Sequence, residues 1–494
     1  MNHFHLNYSA EPARSSESYS DLLKQAVFAT ASVSYRDWAY LEGTIRNEKT
    51  STLNGQSFWY PSVNASIIYS ELLNLPAWVD YGKFRVSYGI VGLAPEQYKA
   101  PVAYKHGTAS KYVYQQLEGG LGNDLIRPEM THEWEFGLEN KFFNNRLGFE
   151  VSYYHKQIID QILEATVPRS AGASSLLENV GELESQGIEF AAYGTPIETR
   201  DWRLDLSGNI AWNTNKVVKL MDGLDQLEHR RWDNGAAYLY SFVGERMGDI
   251  YAFTPKEDAN GNKIVDSEGL YVVTDSPVKV GNAMPDLIGG FAASLSYKRW
   301  TLDANFNFQI GGDVWNQPYQ YMMGLGALED TMPFRDAAHG GLAYYIDGDG
   351  KNVATSNATG PNGEYVYHDG QILEGVTADG KPNTTIVSTD YLLEETYYWG
   401  TGGPIYYSHS IFKNTYLKCR ELSLTYNVPE SFTRKFKCNN LRLSVFARNP
   451  FFIYKNLPIF DAESMDSTNW MDAVQIGGST SSTRTFGFTL RANF

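Results

Sequence analysis

Strict alternation of apolar and polar residues recurs along this sequence, and no other feature constrains its fold as much. The segment DWRLDLSGNIAWNTN carries Trp202, Leu206 and Trp212 on one set of alternate positions, with Asp205 and Asn209 on the other. A period of two residues is typical of a β-strand that has one apolar and one polar face. The pattern therefore predicts an all-β, antiparallel protein.

Thirteen segments show this alternation, and HFHLNYS near the start is a candidate for a fourteenth. Only the segments 21–27 and 317–325 have helical spacing. The predicted strands lie near residues 27–36, 38–47, 60–72, 82–91, 131–143, 145–160, 183–196, 201–215, 286–298, 299–312, 415–428, 440–450 and 483–494.

The connections between these strands alternate between short and long, and every long one falls at the same end of the strands. Such loops are uncommon in compact soluble domains. Short turns at one end and long loops at the other are typical of outer-membrane β-barrels. The long connections lie near residues 47–59, 92–130, 161–182, 216–285, 313–414 and 451–482.

Composition agrees with a membrane barrel and weighs against other classes. The net charge of −16 disfavours a nucleic-acid partner. No apolar run reaches the ~18 residues of a membrane-spanning helix. A soluble sandwich would not segregate its loops by length, and a propeller would show a regular repeat. Aromatic residues flank the short turns, as expected at a lipid interface: Tyr35, Trp38, Phe142, Phe143, Trp202, Tyr297, Trp300 and Tyr426.

Several longer segments resemble the SusC/RagA family of TonB-dependent outer-membrane transporters, in the family's order. They include IRPEMTHEWEFGLENKFFNNRL, NVGELESQGIEFAAYGTPI, VGNAMPDLIGGFAASLSYKRW and YLKCRELSLTYNVP. The resemblance implies a barrel of about 22 strands with a plugged lumen. It also implies import of an oligosaccharide or a peptide, energy supplied through TonB, and a SusD-like surface lipoprotein as partner.

The sequence departs from that family in its length. It supplies about thirteen or fourteen strands, and we find no plug domain, TonB box or signal peptide in it. Residues 1–494 are therefore predicted to be the C-terminal part of the barrel. Two unpaired strand edges in lipid are very costly, so we expect this part alone not to form a functional transporter.

Candidate binding residues follow from the predicted barrel, because no G-x-S-x-G, P-loop or H-E-x-x-H motif indicates an enzyme. Aromatic rings in the long loops suit sugar faces, although such rings also pack loops together. The candidate substrate contacts are Trp315, Tyr397, Tyr398, Trp399, Tyr406 and Trp470. The polar strand positions predicted to face the lumen are Asp205, Asn209, Asp303, Asn305, Asn307 and Gln309.

Two loop segments resemble calcium-binding loops, and no cofactor is otherwise indicated. Asp258, Asn260 and Asn262 occupy alternate positions of DANGNK, but Gly and Glu are missing from the later positions that calcium loops require. DGDGKN at 347–352 shares this ambiguity. An Asn- and Gly-rich turn is the favoured interpretation of both.

The two cysteines and the terminal residue are further informative features of the sequence. A disulfide between Cys419 and Cys438 is one possibility in an oxidising compartment, and a zinc site is disfavoured because neither cysteine belongs to a CxxC pair. The terminal Phe494 resembles the C-terminal aromatic that outer-membrane barrels present to their assembly machinery.

The sequence therefore predicts the barrel part of a SusC-like importer in the outer membrane of a Gram-negative bacterium. A passive porin or an adhesin-like barrel with ligand-binding loops is the alternative, and a soluble carbohydrate-active β-protein is a third. The identity of the substrate stays open, as does the pairing of two transporter–lipoprotein units.

Overall fold

One large antiparallel sheet dominates the chain. The computed structural model describes residues 19–102, 104–109, 112–117, 120–167, 170, 172, 173, 175–221, 223–232, 235–398, 407–465, 471, 475–477 and 482–493. Within these residues, thirteen strands pair in chain order along one continuous path. The predicted all-β antiparallel fold is confirmed, and each predicted strand overlaps one strand of this path. The segment HFHLNYS lies outside the described residues.

The strands of the path are named β1 to β13 here. They are β1 Lys24–Tyr35, β2 Ala39–Thr50, β3 Ser57–Ile68, β4 Val79–Leu93, β5 Glu129–Phe142, β6 Leu147–Thr166, β7 Ser175–Glu198, β8 Trp202–Lys219, β9 Pro285–Tyr297, β10 Trp300–Gly311, β11 Tyr416–Asn427, β12 Asn440–Lys455 and β13 Thr485–Asn493. The path ends at β1 on one side and at β13 on the other.

Helices are few and short. The α-helices are α1 Tyr69–Leu72, α2 Gln317–Gly324, α3 Thr389–Leu393 and α4 Glu430–Thr433. The prediction at 317–325 therefore agrees with α2. The helix predicted at 21–27 is wrong, since Lys24 already pairs with Thr50 at the start of β1. Among the described residues, no helix has the length and hydrophobicity needed to cross a membrane.

The long connections carry small sheets of their own. Four strands, Gln226–Trp232, Ala237–Phe242, Asp249–Ala252 and Val278–Asn282, follow β8. The connection after β10 holds Asp313–Asn316, Leu342–Ile346, Asn352–Ala354, Tyr367–Gln371, Val376–Thr377, Val387–Ser388 and Ile411–Lys413. Shorter pieces are Tyr104–Ala109, Tyr112–Leu117, Gly120–Leu121, Ile264–Val265 and Gln475–Ile476.

The two faces of the large sheet differ as the alternation predicts. One face exposes large apolar side chains, including Phe136, Ile188, Leu302 and Phe488. Aromatic residues pair where the short turns meet the strands, as between Trp202 and Tyr297, whose ring centroids are 4.2 Å apart. This face has the composition expected of a surface in lipid.

Candidate functional site

The six residues predicted to face the lumen all lie on the polar face of the sheet. Asp205 pairs with Ser294, which pairs in turn with Asp303. Asn209 and Asn307 are both paired with Gly290. Directly paired residues share a face, and Asn305 and Gln309 follow Asp303 and Asn307 in the same alternation. Their assignment to a lumen stays a prediction.

A trough of about 490 Å³ runs across this polar face from β5 to β10. Two rows of side chains border it, and small residues such as Ala191, Gly290 and Ala292 leave it open. Carboxylates line its β5–β6 end and amides its β8–β10 end, so it offers both hydrogen-bond donors and acceptors. The polar residues that line it are Glu139, Asn140, Lys141, Glu150, Tyr193, Ser207, Asn209, Asn305 and Asn307.

Ion pairs brace the polar face beside this trough. Arg85 donates to Glu135 at 2.9 Å, to Ser152 at 2.7 Å and to Glu150. Gly137, directly opposite Arg85, leaves space into which the guanidinium extends. The hydrogen-bonding groups of these side chains are therefore paired with one another across three strands. This pairing fixes the side chains of the polar face without a ligand.

A buried ionic cluster joins β11 to the connection that follows β12. The Lys418 side chain is only 2% exposed, and its Nζ donates at 2.7 Å both to Asp461 Oδ2 and to Glu463 Oε2. Arg420 Nη1 reaches the same Glu463 oxygen at 2.6 Å, and Ser482 donates to Asp461. Sequence reasoning missed this cluster, although Lys418 falls on the polar positions of a predicted strand.

Two buried asparagines from the connection after β10 also bind the connection after β12. Asn316 Nδ2 donates to Pro458 O at 3.2 Å, and Asn414 Nδ2 donates to Ala462 O at 2.8 Å. Backbone pairing adds to these bonds, since Trp315 and Asn316 run parallel to residues 475–476. The connections after β10 and after β12 therefore form one packed unit, which we call the loop subdomain.

The connection after β8 belongs to the loop subdomain as well. Residues 264–265 pair in parallel with residues 376–377. Trp232, Leu239 and Ile250 form a buried core together with Trp315 and Tyr407 from the connection after β10. The long connections are therefore built as a folded subdomain with its own hydrophobic core.

Trp315, a candidate substrate contact, lies inside that core. Its side chain is 1% exposed and stacks on Tyr407, with ring centroids 5.0 Å apart. Trp232 packs edge-on against the Trp315 ring at 5.9 Å, and the Trp315 indole N–H donates to Gln320 Oε1 at 2.9 Å. This placement favours the packing interpretation of Trp315, which the sequence left open.

Tyr397 lies next to the same core. Its hydroxyl is 3.3 Å from His409 Nδ1, and the two rings meet edge to face. Burial raises the pKa of Tyr397 and lowers the pKa of His409 to about 4, so both groups are neutral at pH 7. Burial, together with a hydrogen bond to Asp330, also raises the pKa of nearby Tyr319 to about 12.

Other candidates cannot be placed in this geometry. Trp399, Tyr406, Trp470 and Phe494 lie outside the described residues, as does the side chain of Tyr398. Their predicted roles stay predictions.

The two segments that resemble calcium loops form tight turns. Asp258 Oδ1 accepts hydrogen bonds from the backbone N–H of Asn260 at 2.8 Å and of Asn262 at 2.9 Å, and the Asn262 amide donates to Oδ2. The Asn262 bonds contribute most to lowering the pKa of Asp258. Among the described residues, no group of three or more His, Cys, Asp or Glu side chains is arranged to hold a metal. Calcium binding stays an untested prediction.

The segment at 347–352 has the same turn. Asp347 Oδ1 accepts from Asp349 N and Lys351 N, both at 2.9 Å, and Gly350 has a positive φ of 80°. The bonds match those around Asp258, where Gly261 has a φ of 82°. The alternating oxygens thus serve an Asx turn, and the glycine supplies a left-handed residue.

We expect Gly350→Ala to weaken this hairpin by about 1 kcal/mol, because an L-residue is strained at that φ. Gly348→Ala is the matched control, since an added Cβ meets nothing within 4 Å at either position and Gly348 has no such φ. Hydrogen exchange of residues 342–354 would measure the difference. Equal exchange in the two variants would contradict the assignment of the strain to Gly350.

Both cysteines are buried free thiols. Cys438 Sγ lies 3.2 Å from Asn493 O and 3.0 Å from Asn440 O, at the turn between β11 and β12. Cys419 lies on β11, close to Lys418. The disulfide considered from the sequence is therefore not formed in this structure.

Comparison with known proteins assigns the fold to a family. A family model described as TonB dependent receptor-like, beta-barrel matches residues 5–372. The chain belongs to the TonB-dependent receptor family. Receptors of this family are outer-membrane β-barrels and not enzymes, which confirms the predicted location and class.

Named relatives of this receptor come from Bacteroidota and support the predicted SusC/RagA resemblance. TonB-dependent receptor P3 of Formosa agariphila is 24% identical over 508 residues, covering 95% of this chain and 45% of that protein. TonB-dependent receptor SusC of Bacteroides thetaiotaomicron is 28% identical over 211 residues, covering 40% of this chain and 20% of that protein.

Solved structures give the same fold. The RagAB peptide transporter matches with a TM-score of 0.68 and 20% identity, over 96% of this chain and 48% of that chain. This receptor chain spans less than half the length of the relatives it matches. Its description as the C-terminal part of a barrel stays a prediction.

Proposed function

We propose that this receptor chain is the barrel part of an active importer that takes up an oligosaccharide or a peptide across the outer membrane. TonB supplies the energy for this import. A SusD-like surface lipoprotein works with it at the extracellular mouth. We also propose that two such transporter–lipoprotein pairs associate, a question that the sequence leaves open.

The polar trough is the observation that supports this proposal. An imported solute with many hydroxyls or amides needs donors and acceptors along its route, and the trough offers Glu139, Glu150, Asn209 and Asn307 in one row of paired positions across the strands. The charged side chains beside the trough are largely paired with one another, as Arg85 is with Glu135 and Glu150. The likeness to the RagAB peptide transporter favours a peptide, whereas the SusC/RagA resemblance of the sequence leaves an oligosaccharide as the other cargo class.

An uptake experiment separates the two cargo classes. Cells that produce the receptor, and cells that lack its gene, would be given labelled oligosaccharide and peptide mixtures, with and without a protonophore. We expect one mixture to accumulate only in producing cells and only while the proton gradient is intact. Accumulation that survives the protonophore would contradict active import and favour the porin alternative.

A further inference from the structure

Two arginines face each other near one end of the last strand pair of the sheet. Arg442 of β12 and Arg491 of β13 are direct partners in the strand register, and both are exposed. They lie on the polar face, because the neighbouring pair along the same strands, Leu443 and Leu490, lies on the apolar face. Arg442 follows the short turn between β11 and β12, so the pair lies at the periplasmic end of the strands.

Neither guanidinium has an acidic partner within the described residues. Like charges at directly opposed positions of a sheet repel each other, because the two Cβ atoms are only about 5 Å apart. Elsewhere on the polar face the same conflict is neutralised. Glu139 and Glu150 are also direct partners, but the first is paired with Lys141 at 3.2 Å and the second with Arg85. The arginine pair therefore leaves two adjacent positive charges uncompensated.

Neutral side chains continue the polar face along these two strands. Ser444 and Thr489 are the next direct partners on this face, and both carry hydroxyl groups. Phe446 follows, opposite Gly487, and its ring lies over that glycine, since an added Cβ there would meet the ring at 2.5 Å. The strand rises roughly 13 Å from Arg442 to Phe446 at ~3.3 Å per residue. A doubly positive end, two hydroxyls and an aromatic ring therefore follow one another along one line.

We propose that Arg442 and Arg491 bind the terminal carboxylate of a peptide cargo, which lies extended along β12 and β13 with a side chain against Phe446. Guanidinium groups form strong, paired hydrogen bonds with carboxylates, and a bound carboxylate offsets the repulsion between the two cations. This inference rests on the proposed function, and it names the cargo class that the proposed function leaves open.

A peptide fits this surface better than an acidic oligosaccharide does. A peptide has one terminal carboxylate, whereas an acidic oligosaccharide carries a carboxylate on successive sugar units. In the described part of β12 and β13, the next arginine along the polar face is Arg448, and it is already paired with Glu421 at 3.1 Å. A chain with repeated negative charges would therefore meet hydroxyls and a ring where it needs further cations.

Peptide binding to the intact receptor, extracted from outer membranes in mild detergent, tests the site. The probes are a labelled pool of hexapeptides with free terminal carboxylates, the same pool with that group amidated, and an oligogalacturonate, which carries repeated carboxylates. Arg442→Gln removes one charge of the pair, and Arg442→Lys keeps it. Lys435→Gln is the matched control, because Lys435 is an exposed cation in the turn that precedes β12.

We expect amidation to weaken peptide binding about tenfold, the size of one lost charge-assisted hydrogen bond. Arg442→Gln should weaken binding of the free acids by a similar factor and leave binding of the amides unchanged. Arg442→Lys should restore part of the loss, and Lys435→Gln should have no effect. Without peptide, the thermal midpoint of Arg442→Gln should not fall, because the substitution removes a repulsion.

Four results would overturn the proposal. The first is equal binding of acids and amides, or binding of neither. The second is an equal loss of affinity in Arg442→Gln and Lys435→Gln. The third is tighter binding of the oligogalacturonate than of the free acids, which would make an acidic sugar the ligand. The fourth is a lower thermal midpoint in Arg442→Gln, which would mean that the arginines hold an acidic segment of the receptor itself.

Energised uptake in cells tests active import separately from this site. Uptake that persists in Arg442→Gln, together with equal binding of acids and amides, would reject the arginine site alone. Uptake that survives a protonophore would reject active import while the binding difference between acids and amides still stands.

Discussion

Replacing Lys418 with methionine is expected to destabilise the attachment of the loop subdomain by about 3–5 kcal/mol, the usual cost of removing one partner of a buried ion pair. The lysine is the cation that both Asp461 and Glu463 contact at 2.7 Å. Asp461 is only 7% exposed, so the substitution leaves a buried carboxylate without its main partner.

Hydrogen exchange of residues 456–465 would report the effect directly, because the cluster holds these residues on β11. Arg434→Met is the matched control, since its pair with Glu430 is 79% and 74% exposed and worth about 0.3–0.5 kcal/mol at most. The triple variant Lys418→Met, Asp461→Asn and Glu463→Gln should recover part of the loss. Unchanged exchange in Lys418→Met would mean that the asparagine bonds alone hold the segment.

Low pH is also expected to weaken the attachment of the loop subdomain to β11. Burial alone would raise the pKa of Asp461, but hydrogen bonds from Lys418 and Ser482 outweigh it and hold the pKa below its ordinary value. A lowered folded-state pKa contributes stability above the unfolded pKa of about 3.9, and that stability is lost as the pH falls through the folded value. The attachment is therefore expected to be constant from pH 5 to 8.

The strands could be predicted because the environment on their two faces differs over their whole membrane-crossing length. Successive residues of β10, for example, point in turn to the apolar face and to the polar face. Phe308 identifies the apolar face, and Asp303 identifies the polar face. The alternation of short and long connections then indicates which strand ends lie at the same end of the sheet. Local sequence therefore carries most of the information about the large sheet.

Strand ends were predicted less well where alternation breaks down. β7 begins at Ser175, although the pattern indicated residue 183. Register shifts around Gly181 move the side chains to the other face, so the period of two slips there. The helix predicted at 21–27 failed for another reason, because pairing of Lys24 with Thr50 overrides a local preference.

The loop subdomain depends on contacts between distant segments, which periodicity does not reveal. Trp315 pairs with Gln475, and Ile264 pairs with Val376, each across more than a hundred residues. An exposed aromatic and a core aromatic look the same in sequence. The polar positions Asn209 and Asn307 were predictable, whereas the burial of Trp315 was not.

Replacing Trp315 with alanine is expected to cost about 3–5 kcal/mol, the range for truncating a buried aromatic residue. The change removes the stacking on Tyr407, the contact with Trp232 and the hydrogen bond to Gln320. Because the core joins the connections after β8 and β10, its loss should expose both to protease while the large sheet stays folded. Limited proteolysis of intact outer membranes would measure this.

Two further variants distinguish packing from cargo contact. Tyr365→Ala removes a ring that is 73% exposed in the same connection, so it should change the free energy of unfolding by less than about 0.5 kcal/mol. Protease resistance should therefore stay close to that of the unchanged receptor. Trp315→Phe keeps an aromatic ring against Tyr407 and loses only the indole N–H and some volume. If Trp315 is a core residue, this variant should keep most of the uptake that the alanine variant loses. If cargo touches the indole, uptake should fall in both variants while protease resistance in Trp315→Phe is retained, and the packing interpretation would then be wrong.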